Sequence, residues 1–392
     1  MYDNERDFAR SLSYKMFNME KPMYIKLLKL QNFRNYADES FAFDPAVNLI
    51  CGENGQGKTN LLEAAAACST MRLFRTAQKK EGLRFGENHA FIFADFLAQE
   101  RDISLELRFS RTKAMEIYKN GVRQKRQSDA QGLLKTVLFC PEDLMLVRAG
   151  AAARRRFLDT ALCQMRPNYA RYLEEYNRLH EHKTRILRDS EEKPSLLSMW
   201  EDFSLRMAHI GAQIIRYRAY YCRKLLKAAA AVYADIAPHE VLSGVYKTVS
   251  SVTDPFADAL TIEKQLIDHV FSHKTAEIAA KSCLSGPHKD DLELLLDGRS
   301  AASFGSQGQV RTCILSLKLA ERELFFDEDG EYPVLLLDDV LSELDRRRQD
   351  FVLNRISAGQ VMITCCEDGI SEKLRAGAVF HIQNGEKSAE TH

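Results

Sequence analysis

The sequence lacks the marks of a membrane or secreted protein. No apolar run reaches the ~18 residues that would span a bilayer, and residues 1–22 are polar, without the hydrophobic segment of a signal peptide. Nine cysteines are scattered without a C-x-x-C pair, and Cys365 and Cys366 are adjacent, which suits neither a zinc site nor an ordinary disulfide. These absences predict a cytoplasmic protein with reduced thiols. We expect residues 1–22 to be a disordered extension ahead of a working start at Met23, with a docked helix as the alternative.

Net charge is also missing, because 55 Lys and Arg residues balance 55 Asp and Glu residues. A nucleic-acid surface must therefore be a local patch. Several basic clusters could contact phosphates: Arg123 to Arg126, Arg154 to Arg156, Arg216 to Lys224, and Arg346 to Arg348. Solvated helix faces are the commoner explanation of such runs. The Arg154 cluster could instead pair with acidic groups at a junction between lobes.

The most informative stretch has the form G-x-x-x-x-G-K-[ST] and reads Gly52-Glu53-Asn54-Gly55-Gln56-Gly57-Lys58-Thr59. Its glycines let successive backbone N–H groups approach a phosphate closely. Lys58 supplies a cation for the β- and γ-phosphates, and the Thr59 hydroxyl can ligate Mg²⁺. The β-prone segment 47–51 precedes the loop and a helix-forming segment from Asn60 follows it. Strand, loop and helix together predict a nucleotide-binding site.

Along the chain, strand-like segments give way to helices and then return. A hairpin is predicted around Asn120-Gly121, helices from Ala151 to about Asp235 and again over 255–283, and strands from Leu292 onward. We therefore predict an α/β fold in which a mostly helical lobe interrupts the nucleotide-binding lobe. The expected division is 1–22, an extension; 23–135, the first part of the ATPase lobe; 136–285, the helical lobe; 286–385, the second part of the ATPase lobe; and 386–392, a loose tail.

Two further motifs complete the predicted site. Asp338 ends the apolar segment 334–337, from which a carboxylate can support Mg²⁺, and Asp339 could orient or deprotonate an attacking water. The turn at Ser306, Gln307 and Gly308 opens a helix and forms a second anion-binding device. In a two-fold dimer, each subunit's Ser306 turn could close over the partner's γ-phosphate.

Along the chain, the phosphate loop comes first, then the Ser306 turn, then the apolar strand that ends at Asp338 and Asp339, and then residues 342–345. This order resembles that of the ABC/SMC-type ATPases, and the individual motifs resemble those of the RecF family of recombination-repair proteins. The resemblance covers residues 23 to about 385, and the segments that carry it are 30–36, 52–60, 154–159, 286–291 and 337–345. It implies an ABC-type P-loop ATPase lobe with mixed sheets, ATP and Mg²⁺ as cofactors, and an ATP-dependent homodimer on single-stranded, gapped or double-stranded DNA. It also implies slow, DNA-stimulated hydrolysis in DNA repair, replication and the SOS response. RecO and RecR are the implied partners in loading recombinase at gaps.

By position, the resemblance assigns phosphate and Mg²⁺ binding to Lys58 and Thr59, with Asn60 beside them, and metal support to Asp338. It places Arg34 and Asn35 beside the phosphates and Asp345 at the dimer seam. Three departures stand out. Many ABC ATPases have Glu where this chain has Asp339, the turn contains Gln307 where transporters have Gly, and Thr364 and Cys365 replace the transporter switch His.

An ATP-binding scaffold with incidental hydrolysis is the alternative function. A transporter ATPase subunit is a weaker one, because the switch His is missing and the helical insertion is large.

Overall fold

The computed structural model describes residues 22–76, 78–356, 358–366 and 377–388. The predictions for the N-terminal extension and for the end of the tail concern residues 1–21 and 389–392, which lie outside these ranges. Within the described residues, no helix is long and apolar enough to cross a membrane.

The central sheet carries the phosphate loop. Its strand order is β15–β14–β3–β13–β12–β8, with β3 at Val47–Cys51, β8 at Thr136–Phe139, β12 at Val334–Leu337, β13 at Val361–Cys365, β14 at Ala378–Gln383 and β15 at Glu386–Lys387. Neighbours from β14 to β8 are parallel. The apolar strands β12 and β13 are buried throughout, as parallel strands covered on both faces should be. The carboxyl ends of β3 and β12 lie at one edge, where the loop begins and Asp338 follows.

A second, antiparallel sheet packs over the phosphate-loop helix. Its order is β2–β1–β4–β5–β6–β7, with β1 at Tyr24–Phe33, β2 at Tyr36–Ala42, β4 at His89–Ala98, β5 at Arg101–Ser110, β6 at Glu116–Lys119 and β7 at Val122–Arg123. The helix α1, Lys58–Thr70, is buried in the core between the two sheets. The predicted hairpin at Asn120-Gly121 is confirmed. The sequence of residues 31–36 predicts a mostly polar turn, but the turn is shorter, because β1 continues to Phe33 and only Arg34 and Asn35 remain between the strands.

The helical part contains α2 at Leu144–Arg148, α3 at Ala151–Met165, α4 at Pro167–Asp189, α5 at Trp200–Ile236, α6 at Ala259–Ser272 and α7 at Lys274–Ala280. Pro167 stands in the first turn of α4, where a missing N–H costs nothing, so it starts this helix rather than breaking one. Helices α4 and α5 are antiparallel: Arg218 of α5 donates to the hydroxyl of Tyr169 at the start of α4 at 3.1 Å. At the other end, the Lys183 ammonium lies 4.9 Å from the Trp200 ring centre.

A small sheet joins the helical part to the rest of the chain. It pairs β9, Leu242–Lys247, with β10, Asp291–Leu296, and β10 with β11, Arg299–Ser300. The remaining helices are α8 at Ala301–Phe304, α9 at Gln307–Asp329, α10 at Val340–Glu343 and α11 at Arg346–Arg355; short 3-10 segments occupy Lys79–Gly82, Gln127–Asp129, Pro141–Asp143, Pro194–Met199 and Pro287–Lys289. The lobe boundaries stay a proposal. Because β8 pairs with β12, we would move the first boundary from 135 to just after Phe139.

Candidate nucleotide site

The phosphate loop has the backbone conformation that its glycines allow. Gly52, Gly55 and Gly57 have φ angles of 150°, 83° and 126°, which L side chains rarely adopt. A Cβ atom at Gly52 would lie 2.4 Å from the Ile382 carbonyl oxygen, and one at Gly57 would lie 2.8 Å from the Asn35 amide nitrogen. Alanine therefore fits at neither position, for reasons of both conformation and space.

Lys58 begins α1 directly behind the loop. Its ammonium donates to the carbonyl oxygens of Gly52 at 2.5 Å and Glu53 at 3.1 Å, and lies 3.3 Å from the Cys366 sulfur. The Lys58 residue is 3% exposed, whereas Glu53, Asn54 and Gly55 are exposed around it. The cation is thus held over the concave side of the loop, where β- and γ-phosphates would lie.

Thr59 and Asp338 meet across the edge of the central sheet. The Thr59 hydroxyl donates to Asp338 Oδ1 at 2.9 Å, and the Thr364 hydroxyl donates to the same oxygen at 3.0 Å. Burial raises the pKa of the Asp338 carboxyl to about 6, with both hydroxyls opposing the rise. Mg²⁺ takes few protein oxygens and completes its shell with phosphate and water. The hydroxyl of Thr59 and the carboxylate of Asp338 fit that requirement; they would hold the cation, which would offset the negative charge of the phosphates.

Asp339 stands in a left-handed backbone conformation, with φ of 51°, at the start of α10. Its N–H donates to the Thr364 hydroxyl oxygen at 2.8 Å, and that hydroxyl lies 3.4 Å from Asp339 Oδ1. A non-glycine residue in this region is uncommon and occurs often at functional sites. The Thr364 hydroxyl therefore contacts both Asp338 and Asp339.

The loop is supported from the antiparallel sheet. The Asn35 amide donates to the Gln56 carbonyl oxygen at 2.7 Å and accepts from the Asn60 amide at 2.8 Å, while the Tyr36 hydroxyl donates to the Gly57 carbonyl oxygen at 3.0 Å. The structure therefore places Asn35 against the loop. Arg34 is directed elsewhere: its guanidinium pairs with the buried Glu63 carboxylate at 2.8 Å. Its predicted place beside the phosphates stays a prediction.

The Ser306 turn is exposed and caps α9. The Ser306 hydroxyl accepts from the Gln309 N–H at 3.2 Å, and the Gln309 side chain accepts from the Ser306 N–H at 2.8 Å, which forms a capping box. Ser306 and Gln307 are exposed and Gly308 is half-buried. Within the described ranges, no hydrogen bond joins the turn to the phosphate loop.

Known proteins resemble this chain over most of its length. The model of the RecF/RecN/SMC N-terminal domain family matches residues 24–388. The DNA replication and repair protein RecF of Lactobacillus johnsonii is 37% identical over 368 residues, 93% of this chain and 98% of that protein. The corresponding protein of Acetivibrio thermocellus is 33% identical over 361 residues, 92% of this chain and 98% of that protein. The chain belongs to the RecF family.

Solved structures extend the comparison. The recombination mediator protein RecF-ATP in the RecFOR pathway matches with a TM-score of 0.87 at 32% identity, covering 94% of this chain and 98% of that chain. The Smc head domain from Pyrococcus furiosus matches with a TM-score of 0.53 at 15% identity, covering 93% of this chain and 95% of that chain, a likeness of fold alone. The predicted fold class, an α/β ABC-type ATPase lobe joined to a helical part, is confirmed.

Some basic residues of this RecF-family chain serve internal contacts. Arg154 pairs with Asp291 at 2.6 Å, as predicted for a lobe junction, and Arg155 donates to the Asp290 carbonyl oxygen at 2.7 Å. Arg218, 3% exposed, pairs with both Asp159 and Asp290. The interpretation of Arg218 as a phosphate contact is therefore wrong, because its charge is buried and paired.

His288 and Asp345 also have defined places. His288 Nδ1 lies 2.7 Å from the Tyr176 hydroxyl and Nε2 lies 3.0 Å from the Cys283 carbonyl oxygen, and burial lowers its pKa to about 3. From the sequence, His288 could be catalytic or could belong to a structural junction, and these hydrogen bonds and the lowered pKa favour the structural role. The carboxylate of Asp345 accepts from the Arg348 N–H at 3.0 Å and caps α11. Its predicted place at a dimer seam stays a prediction.

Sequence reasoning missed part of the loop's support. Gln56 Oε1 accepts from the Asn384 N–H at 2.6 Å, and the Gly385 N–H donates to the Gln56 carbonyl oxygen at 2.8 Å. These residues lie more than three hundred positions away along the chain. The one available signal was the adjacent Asn384 and Gly385. This pair predicts a turn but does not predict that the turn packs against the phosphate loop.

Proposed function

We propose that this chain is an ATP-dependent DNA-binding protein of recombinational repair. In this proposal it binds ATP and Mg²⁺ and dimerises on DNA near single-strand gaps. It hydrolyses ATP slowly, with stimulation by DNA, and helps RecO and RecR to load recombinase. The observation that carries the proposal is the convergence of Lys58, Thr59 and Asp338 at one sheet edge, with the Ser306 turn left exposed and unconnected to them.

The proposed binding residues follow from that convergence. Triphosphate would lie along the loop with its anionic oxygens on the N–H groups and on Lys58, and Mg²⁺ would lie between Thr59 and Asp338. Cofactor contacts are assigned to Arg34, Asn35, Gly52, Glu53, Asn54, Gly55, Gln56, Gly57, Lys58, Thr59, Asn60, Ser306, Gln307 and Gly308. The relative described as RecF-ATP supports ATP as the nucleotide.

Dimerisation is proposed because the phosphate loop of one chain would contact a bound nucleotide from one side, which leaves its other side for a second chain. The Ser306 turn offers backbone N–H groups and a helix N-terminus to an anion. In a two-fold dimer the same surface is used by both subunits, so two composite sites would form together. Dimer formation would then depend on the γ-phosphate.

Slow hydrolysis is proposed from the site's carboxylates. Asp339 is one methylene shorter than the Glu of many ABC ATPases, and both Asp338 and Asp339 contact the Thr364 hydroxyl. Asp339 would position the attacking water from a greater distance, which weakens general-base catalysis. The short Asp339 side chain also favours the alternative function, an ATP-binding scaffold in which hydrolysis is incidental.

Sedimentation velocity with and without ATP and gapped DNA tests the proposal. We expect a monomer without ATP and a DNA-bound dimer with both, and we expect Lys58→Ala to stay monomeric. A sedimentation coefficient unaffected by ATP would overturn it. Comparing Lys58→Arg with Asp339→Asn separates enzyme from scaffold, because a scaffold keeps its full DNA-loading function with Asp339→Asn.

A further inference from the structure

A cavity in the helical part is separate from the nucleotide site. Its volume is about 760 Å³, within the range of small-ligand sites. Its walls come from the end of α3, one face of α5 and the end of α9. Leu324, in the wall, lies eighteen residues after Ser306 on the same helix. At 1.5 Å per residue the cavity is therefore about 27 Å from the Ser306 turn.

The α5 wall combines aromatic rings with cations. Tyr217, Tyr220, Lys224 and Lys227 recur at helical spacing, so they lie along one face. Four cations and two carboxylates line the cavity: Arg166, Arg216, Lys224, Lys227, Asp327 and Glu328. One cation and one carboxylate are already paired, because Arg166 contacts Glu328 at 2.5 Å. The remaining charge favours an anionic ligand.

Two polar atoms in this wall lack partners. The Tyr221 hydroxyl and Arg216 Nε are buried and have no hydrogen-bond partner among the described residues, and Tyr221 is 5% exposed. Leaving a buried donor unpaired is costly, and native structures seldom do so without a reason such as a ligand site. Both atoms lie beneath the cavity surface, so a ligand would reach them only if side chains of the wall moved. The case for a ligand therefore depends on the rings and the cations that line the cavity.

We propose that this cavity binds a nucleotide unit of single-stranded DNA. A base would lie against the tyrosines, as in stacking sites for single strands, while its phosphates would lie on Arg216, Lys224 and Lys227. Base N–H groups would donate to the Asp327 carboxylate. An acidic peptide side chain has no N–H to donate there, so Asp327 favours a base over an acidic peptide. The source of the nucleotide rests on the DNA binding proposed above, whereas the site itself requires neither ATP nor a dimer.

Anisotropy of a labelled oligo(dT) of about twelve nucleotides tests the site in the full chain carrying Lys58→Ala, without ATP. This background keeps the test independent of the phosphate loop. We expect Lys224→Glu/Lys227→Glu to weaken binding at least tenfold and to reduce the slope of log affinity against log salt by about 1.4, the contribution of two cations on a single strand.

The matched control is Arg178→Glu/Arg188→Glu, two exposed cations of α4 outside the cavity wall. It makes the same change in net charge and should leave affinity within about twofold. Tyr220→Ala should weaken binding about tenfold while Tyr220→Phe retains it, because stacking needs the ring and not the hydroxyl. Competition by thymidine monophosphate would show that a free nucleotide also enters the cavity.

Equal affinities and salt slopes for the cavity variant and the control would overturn the proposal and leave a protein segment as the occupant. Loss of ATP-dependent dimerisation with normal oligo(dT) binding would count against the proposed function alone. Normal ATP-dependent dimerisation, with oligo(dT) binding that the cavity substitutions leave unchanged, would count against the cavity proposal alone.

Discussion

The phosphate loop and the Ser306 turn are both anion-binding turns at helix N-termini, yet they are held differently. The loop is fixed by side chains from distant strands, including Asn35 and Tyr36, and Lys58 is buried behind it. The Ser306 turn is held by its own capping box and by the Gln309 side chain, which donates to Glu240 at 3.0 Å, and Ser306 and Gln307 stay exposed. Phe304, just before it, is 72% exposed. One device is complete within the chain, whereas the other is presented outward.

This difference separates two tasks. A loop organised before the ligand arrives loses little entropy on binding, so it suits nucleotide affinity. An exposed turn next to an apolar side chain gains its value only when another surface covers it. We therefore expect substitutions in the loop to alter ATP affinity and those in the turn to alter hydrolysis through the dimer.

The largest effect should come from Ser306→Arg. It should abolish ATP hydrolysis while leaving ATP affinity within about twofold, because the added side chain blocks the partner's nucleotide and not its own chain's loop. Lys58→Ala should abolish both. Steady-state hydrolysis and equilibrium ATP binding, measured on each variant, check this prediction.

Mixing the two inactive variants sharpens the comparison. A mixed dimer contains one site with both defects and one site with neither. An equal mixture should therefore recover about a quarter of wild-type activity if subunits pair at random, and about half if only mixed dimers form. Neither variant alone should recover any. If the mixture stays inactive although mixed dimers form, the two devices do not act on one shared nucleotide.

The second effect concerns the loop's support. Asn35→Ala removes the donor to the Gln56 carbonyl oxygen and the acceptor for Asn60. Leaving these groups unpaired should cost about 2 kcal/mol and weaken ATP binding about thirtyfold. Hydrolysis at saturating ATP should change little. Isothermal titration with ATP tests this. The matched control is Asn32→Ala, in β1, because within the described residues Asn32 makes no hydrogen bond to the loop. Equal losses in both variants would contradict the assignment.

The loop could be predicted from sequence because it is local. Strand, glycines, Lys58 and helix are contiguous, and Asp338 ends an apolar run that only a buried strand explains. The position of Thr364 could not be predicted, since it depends on the register that sets Leu337 of β12 beside Ile363 of β13. Arg218 misled for a related reason. Its stretch of sequence is basic, and only tertiary packing shows that its own charge is buried between Asp159 and Asp290.

A third effect should appear in hydrolysis alone. Thr364→Val removes the hydroxyl that connects Asp338 with the Asp339 N–H. We expect the single-turnover rate to fall about tenfold and ATP affinity to stay within about twofold, because the carboxylates lose their orientation while the loop is intact. Thr364→Ser should restore the rate, since it keeps the hydroxyl. A rate unchanged in Thr364→Val would show that the hydroxyl positions neither carboxylate.

The smallest effect on nucleotide handling should come from Glu321, which lies in the core away from both turns. It is 3% exposed, and burial raises its pKa to about 7 against the opposing charge of Lys318. Its pKa is therefore higher in the folded chain than the ordinary 4.5, so stability falls as pH rises from about 4.5 to 7. Glu321→Gln removes this loss. The difference in free energy of unfolding between Glu321→Gln and wild type should therefore grow by roughly 3 kcal/mol as pH rises through that window. ATP hydrolysis should be unchanged. Urea unfolding at both ends of the window measures the gain, and the exposed Asp350→Asn should show none; a gain of the same size at both ends would mean that packing, and not the carboxylate's charge, is responsible.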